Sequence, residues 1–241
     1  MDITFFLLLF LIAFLYSSVG HGGASGYLAL LALYGVAPES MRQTALTLNV
    51  FVSGIAFFNY YKARHFRLGL VLPFLITSVP LAFLGAMVSI KPIVYKNILG
   101  GVLLIAVLRM LLETNAEAKT TKKPPLGISL LVGAALGFLS GLIGIGGGII
   151  LSPILILMHW ATLKETAAAS AFLILLNSLS GLLALNIGGL CFDSPAVLWV
   201  ITGFAGGIAG SYFGSFRLRP ALLKYPLAAV LILASIKLFV F

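Results

Sequence analysis

The chemistry open to this chain gathers around two glycine runs. The first is Ser18-Val19-Gly20-His21-Gly22-Gly23-Ala24-Ser25-Gly26, and the second is Gly141-Leu142-Ile143-Gly144-Ile145-Gly146-Gly147-Gly148. Each lies between a long apolar segment and a short one. So many near-adjacent glycines exceed what close helix packing requires, and they predict a broken helix. The loosened backbone at such a break must find partners in protein, water or ligand. The short helix that follows turns the N–H groups of its first turn, and the positive end of its dipole, toward the break. Those are the features of an anion site. Glycines that only let helices approach one another are the other reading, and it is preferred for Gly206, Gly210 and Gly214, which recur every fourth residue with nothing polar beside them. A dinucleotide fingerprint is not expected, because no strand precedes either run and no acid follows at the required place.

Polar side chains inside the apolar segments are the next candidates, since each is costly there and faces the interior. In the third segment Gln43, Thr47 and Gly54 share one helical face, and Asn49 and Ser53 another. In the eighth, Ser170 and Asn177 share a face. An oxyanion calls for several neutral donors and helix-dipole ends, with no carboxylate nearby. Each Ser or Thr has an alternative, a hydroxyl bond to its own helix's carbonyl four residues back. For Asn49 and Asn177 a ligand site or an interhelical bond is preferred.

All 6 acids (Asp2, Glu39, Glu113, Glu117, Glu165 and Asp193) lie at segment ends or in loops, so none stands buried as a proton carrier. His21 is then the one group titrating near neutrality in a glycine break. It would donate to the anion and carry a coupled proton, or else close a local hydrogen bond. Glu39 and Glu165 read as acids at helix N-termini, with a gating pair to a base such as Arg42 as the alternative. Three dispersed histidines and the single cysteine, Cys191, form no metal constellation, and no cofactor is implied.

These groups must be held by membrane-spanning helices. Hydrophobic residues make up 61% of the 241 and charged residues only 9%, where a soluble domain carries about a quarter charged. Mean hydropathy is +1.16. Apolar segments of spanning or half-spanning length fall at roughly 3–19, 23–35, 41–61, 68–89, 94–112, 127–143, 147–160, 165–187, 195–216 and 220–240. The hydrophilic stretch 113–125 (ETNAEAKTTKKPP) separates a first transmembrane repeat, 1–112, from a second, 126–241, and reads as a cytoplasmic linker. The halves are an internal repeat: Phe14-Leu15 and Gly20-His21-Gly22-Gly23-Ala24 align with Phe138-Leu139 and Gly144-Ile145-Gly146-Gly147-Gly148, Thr47 with Ser170, Gly85 with Gly210 and Pro92 with Pro220.

Charge chooses the number of crossings. With five per half, Lys62, Arg64, Arg67, Arg109, Lys119, Lys122, Lys123, Lys164, Arg217, Arg219 and Lys224 share one side, and only Arg42, Lys91, Lys96 and Lys237 take the other. With four, the basic residues divide almost evenly. The positive-inside rule favours five plus five with both termini outside. The net charge of +9 is therefore topological and implies no nucleic acid, since no basic patch carries interleaved aromatics. The expected fold is an all-α polytopic membrane protein of about ten transmembrane helices. They would form two inverted five-helix repeats with short, broken helices at the glycine motifs, and a site near midplane where the repeats meet.

The run Gly144 to Pro153 reads G-x-G-G-G-x-x-x-x-P and recurs in weaker form in the first half, with His21 inside it, Ala24 for a glycine and Ala29 in place of the proline. This pattern resembles the TauE/SafE sulfite exporter family, the TSUP transporters, over nearly the whole chain. The resemblance implies a multi-pass protein of the cytoplasmic membrane that moves small sulfur-containing anions such as sulfite, sulfoacetate or thiosulfate, often outward. Joined to the residue reading, it predicts a secondary transporter working by alternating access. Its binding residues would be Gly20, His21, Gly22, Gly23, Ser25, Thr47, Asn49, Gly144, Gly146, Gly147, Gly148, Ser170 and Asn177. Besides the anion its partners are the lipid bilayer, coupled protons and a second copy of itself. No covalent chemistry is implied. The competing readings are an anion channel of the same architecture, a scaffold subunit, and an intramembrane enzyme built on Ser17, Ser18 or Ser25 beside His21.

Overall fold

The computed structural model of the chain describes residues 2–18, 21–112, 122–187 and 194–216, together with Ile232, Ser235, Ile236, Leu238 and Phe239. Gly20, the linker up to residue 121 and most of the tenth apolar segment lie outside the described residues. Among the described residues nine helices follow one another, with no strand: α1 (Ile3–Ser18), α2 (Ala24–Leu33), α3 (Pro38–Lys62), α4 (Leu68–Met87), α5 (Pro92–Leu112), α6 (Leu126–Ile143), α7 (Gly148–Leu157), α8 (Leu163–Ile187) and α9 (Ser194–Phe216). They take the first nine expected segments in order.

Local chemistry sets the ends. Pro38 and Pro92 open α3 and α5, where a missing N–H costs nothing. Ahead of α8 the Thr162 N–H donates to Glu165 Oε2 (2.9 Å) and the Glu165 N–H to Thr162 Oγ1 (3.3 Å), a reciprocal cap. Both short helices stop the same way. After α2, Gly35 turns left-handed (φ 72) and the Val36 N–H bonds back to the Leu31 carbonyl; after α7, His159 turns left-handed (φ 54) and the Trp160 N–H bonds back to that of Leu155.

Helices of the two halves are exchanged in the packing. α1 lies along α9 and α6 along α4, so each half's first helix rests on the other half's fourth. α3 and α8 pack on each other in the middle, with α3 also against α9 and α8 against α4. The close approaches are made by small residues. A Cβ on Gly206 or Gly210 would overlap the carbonyl of Phe10 or Phe14 on α1, as their four-residue spacing leads one to expect. Gly133, Gly137 and Gly141 do the same on α6, against the carbonyls of Phe74, Ser78 and Ala82 on α4. Gly141, which the sequence places in the second glycine run, belongs to this packing stripe.

Outward-facing residues are large and apolar: Ile3, Leu131, Leu157 and Ile187 are each more than 70% exposed (77%, 73%, 74% and 73%). An apolar surface of this extent suits a lipid solvent, not water. Three of the described helices, α4, α6 and α8, are long and apolar enough to cross a membrane.

Candidate functional site

α3 and α8 are both 25 residues long, and Asn49 and Ile174 each stand halfway along their helix. Two helix breaks close on that point. α1 ends at Ser18 and α2 starts after Gly23; α6 ends at Ile143 and α7 starts after Gly147. Gly23, Gly144, Gly146 and Gly147 all have φ between 76 and 90, the left-handed region that a side chain disfavours. The glycine runs therefore break helices, as expected.

Between the breaks the backbone is pressed against two side chains. A Cβ on Gly22, at the first break, would stand 2.6 Å from Asn49 Oδ1 and 2.8 Å from Ile174 Cγ2. One on Gly146, at the second, would stand 2.7 Å from Ile174 Cγ2 and 2.9 Å from Asn49 Nδ2. Asn49 and Ile174 thus fill the gap between the breaks, one from each half. Asn49 is wholly buried, and neither Oδ1 nor Nδ2 has a hydrogen-bond partner among the described residues. It alone among the described residues has both polar side-chain atoms orphaned. An unbonded buried amide costs about 1–3 kcal/mol. Neither α2 nor α7 carries a side-chain cap, because its N-cap residue is glycine, and Ala24, Ser25 and Gly148 in their first turns are buried. The first turn of a helix has no intrahelical acceptor for its N–H groups.

A polar chain ties the breaks together. His21 Nε2 lies 2.9 Å from Ser152 Oγ on α7, which lies 2.8 Å from Ser170 Oγ on α8 and 2.9 Å from the Gly148 carbonyl. All three contacts are satisfied when Ser152 donates to that carbonyl and accepts from Ser170 and from a protonated Nε2. Asn177 Nδ2 reaches the Gly146 carbonyl (3.4 Å), and Ser78 of α4 donates to Asn177 Oδ1 (2.8 Å).

This arrangement can be set beside known proteins. The family model described as sulfite exporter TauE/SafE matches residues 5–238. The chain belongs to the TauE/SafE family. Among curated TauE/SafE-like relatives, a probable membrane transporter protein of Sinorhizobium fredii, y4hK, is 35% identical over 95% of this chain and 94% of its own length. Another, YjnA of Bacillus subtilis, also described as a probable membrane transporter protein, is 24% identical over 99% of this chain and all of its own. No solved structure matches the chain. The TauE/SafE chain is thus a membrane transporter, with its helix breaks meeting at mid-height.

Of the residues expected at its site, His21, Gly22, Asn49, Gly146, Gly147, Gly148, Ser170 and Asn177 come together. Gly147 is flanked by Leu173 and Asn177, and Gly148 by Ile174 and Ser170. The others make other contacts. Thr47 donates to the Gln43 carbonyl of its own helix (2.9 Å), the intrahelical alternative. Ser25 bonds Tyr16 (2.7 Å), Gly23 lies against the Tyr27 ring, and Gly144 ends α6 against the Arg42 backbone. Gly20 lies outside the described residues. Ser17 and Ser18, weighed as partners of His21, donate to the Gly207 and Leu15 carbonyls instead. The serine that does meet His21 is Ser152, which sequence reasoning passed over; a hydroxyl inside a ten-residue apolar helix was the available signal. Ile174 was missed as well, because an isoleucine in an apolar helix carries no signal of its own.

Arg42 sits elsewhere than in a gating pair, with its guanidinium on the Ala86 carbonyl at the end of α4. Glu165 pairs with Arg67 (Nη1 to Oε1, 3.0 Å), linking the starts of α8 and α4 across the halves. In the loop before α4, burial and then Lys164 hold the His65 imidazole below its ordinary pKa, against the pull of Glu165.

Proposed function

We propose that this transporter moves small sulfur-containing anions such as sulfite, sulfoacetate or thiosulfate out across the cytoplasmic membrane. The anion sits between the two helix breaks. One observation carries the reading: the Asn49 amide, wholly buried and unbonded, placed between Gly22 and Gly146. A buried amide without a partner among the described residues, at such a point, is completed by a ligand that accepts from Nδ2. The first turns of α2 and α7, which carry no side-chain cap, turn their positive dipole ends to the same anion, and that of α2 adds backbone donors. The His21–Ser152–Ser170 chain lies beside it, with His21 as the carrier of a coupled proton.

Alternating access would rock one repeat against the other around this point. The exchanged packing of α1 on α9 and α6 on α4 supports a two-fold relation between the halves, and the bias of basic residues supports the inversion that puts both termini outside.

The test is thermal unfolding of the detergent-purified protein with sulfite, thiosulfate, sulfoacetate, sulfate, phosphate and chloride, repeated on Asn49→Leu. A ligand at 100 times its Kd adds about 2.7 kcal/mol to the state it binds. A shift selective for a sulfur anion, and absent from Asn49→Leu, is expected. An equal shift in both proteins, or none with any anion, overturns the site.

A further inference from the structure

Ile174 reaches every glycine that meets near Asn49. Its Cγ2 methyl faces Gly22 of the first break and Gly146 of the second, and Cγ1 and Cδ1 face Gly148 at the start of α7. At each of these glycines a Cβ would collide with Ile174, so the three missing side chains make the space that this one side chain fills. It is 2% exposed, and it stands on the same face of α8 as Ser170 and Asn177, midway between them. A β-branched side chain in a helix is held in essentially one rotamer, so this is a stiff wedge. The polar half of the gap is the Asn49 amide and the apolar half is Ile174.

We infer that Ile174 is the residue that sets the size limit of the anion site. It selects against substrates that carry a carbon chain beyond the oxyanion group, by occupying volume their chain would need. This deepens the reading of the site between the breaks and rests on it. The apolar flank that Ile174 offers favours an anion whose far side is small or bare, while the charged oxygens turn to Asn49 and the helix ends. Shortening Ile174 leaves every donor in place and enlarges only the apolar side. The change should therefore appear as selectivity, not as loss of anion binding.

The experiment uses the full chain in sealed proteoliposomes, with efflux of sulfite and of ethanesulfonate, whose chain is wholly apolar, measured for wild type, Ile174→Val and Ile174→Ala. A pocket that gains or loses one methylene changes discrimination by about tenfold or more. The ethanesulfonate-to-sulfite rate ratio is expected to rise about tenfold in Ile174→Ala, with Ile174→Val in between. Thermal unfolding of each variant is recorded alongside, and Ile174→Val carries the test if the alanine variant does not fold. Sulfite efflux with an unchanged ratio in the folded variants overturns the inference alone. So does loss of both activities in a variant that unfolds at the wild-type temperature, because a size limit relaxes and does not abolish. Wild-type vesicles that move neither anion overturn the reading of the site itself, and this inference with it.

Discussion

Asn49 is a local fault in the packed protein, and its cost is predictable. Its amide is buried with both polar atoms unbonded, and a buried polar group left without partners destabilises by about 1–3 kcal/mol. Leucine branches at the same carbon and has nothing to satisfy. Asn49→Leu should therefore raise the unfolding temperature of the ligand-free protein, by about 1 kcal/mol of stability or more, while erasing its response to anions. Chemical or thermal unfolding in detergent checks the first, and the ligand panel the second. A less stable Asn49→Leu would mean that the amide is already satisfied. Thr47, one turn from Gln43, shows why residue type alone misleads: the same buried hydroxyl that could serve a ligand serves its own helix instead.

At the scale of elements, glycine has two distinct uses here. Gly137 of α6 and Gly210 of α9 touch the carbonyls of Ser78 and Phe14, so a methyl group there must push backbone away from backbone. Overpacking of this sort costs about 1–3 kcal/mol. In lipid, helix association depends on such van der Waals contact, since burying apolar surface gains nothing between helices already in hydrocarbon. Gly101 of α5 is helical, with open space around its Cβ direction among the described residues. Gly137→Ala and Gly210→Ala should each lower stability by about 1–3 kcal/mol, while Gly101→Ala should be neutral or stabilising by up to about 1 kcal/mol. Equal effects at the three positions would show that helix propensity, and not the contact, sets the outcome. The spacing of Gly206 and Gly210 announced this packing; that of Gly133, Gly137 and Gly141 is the same, and its partner helix emerged only in the fold.

For the whole molecule the prediction concerns sidedness. The charge bias assigns the α3–α4 loop, with Lys62, Arg64 and Arg67, to the cytoplasm, and the α4–α5 loop to the outside. Lys62 and Ser89 are exposed residues of these two regions. In a Cys191→Ser background, Ser89→Cys should react with an impermeant maleimide on intact cells, and Lys62→Cys only after permeabilisation. The reverse pattern would invert the whole assignment, and equal labelling would remove the five-crossing arrangement.

The order of apolar segments, the two glycine breaks and most of the polar residues near them were legible in the sequence, because composition, glycine clusters and isolated polar side chains are local signals that act wherever the chain runs. The meeting of these pieces was not. Which of the expected donors face each other depends on helix rotation and on the exchange of partners between halves, so His21 found Ser152 on α7, and Ser25 found Tyr16. Ile174 is the clearest case. Nothing in its type marks it, and only the convergence of Gly22, Gly146 and Gly148 on its side chain reveals that three glycines, drawn from two distant stretches of the chain, leave room for one residue. Sequence alone determined that this is a polytopic membrane protein with two broken helices. Tertiary structure decided what stands between them, because close packing is a property of neighbours in space, which no linear pattern encodes.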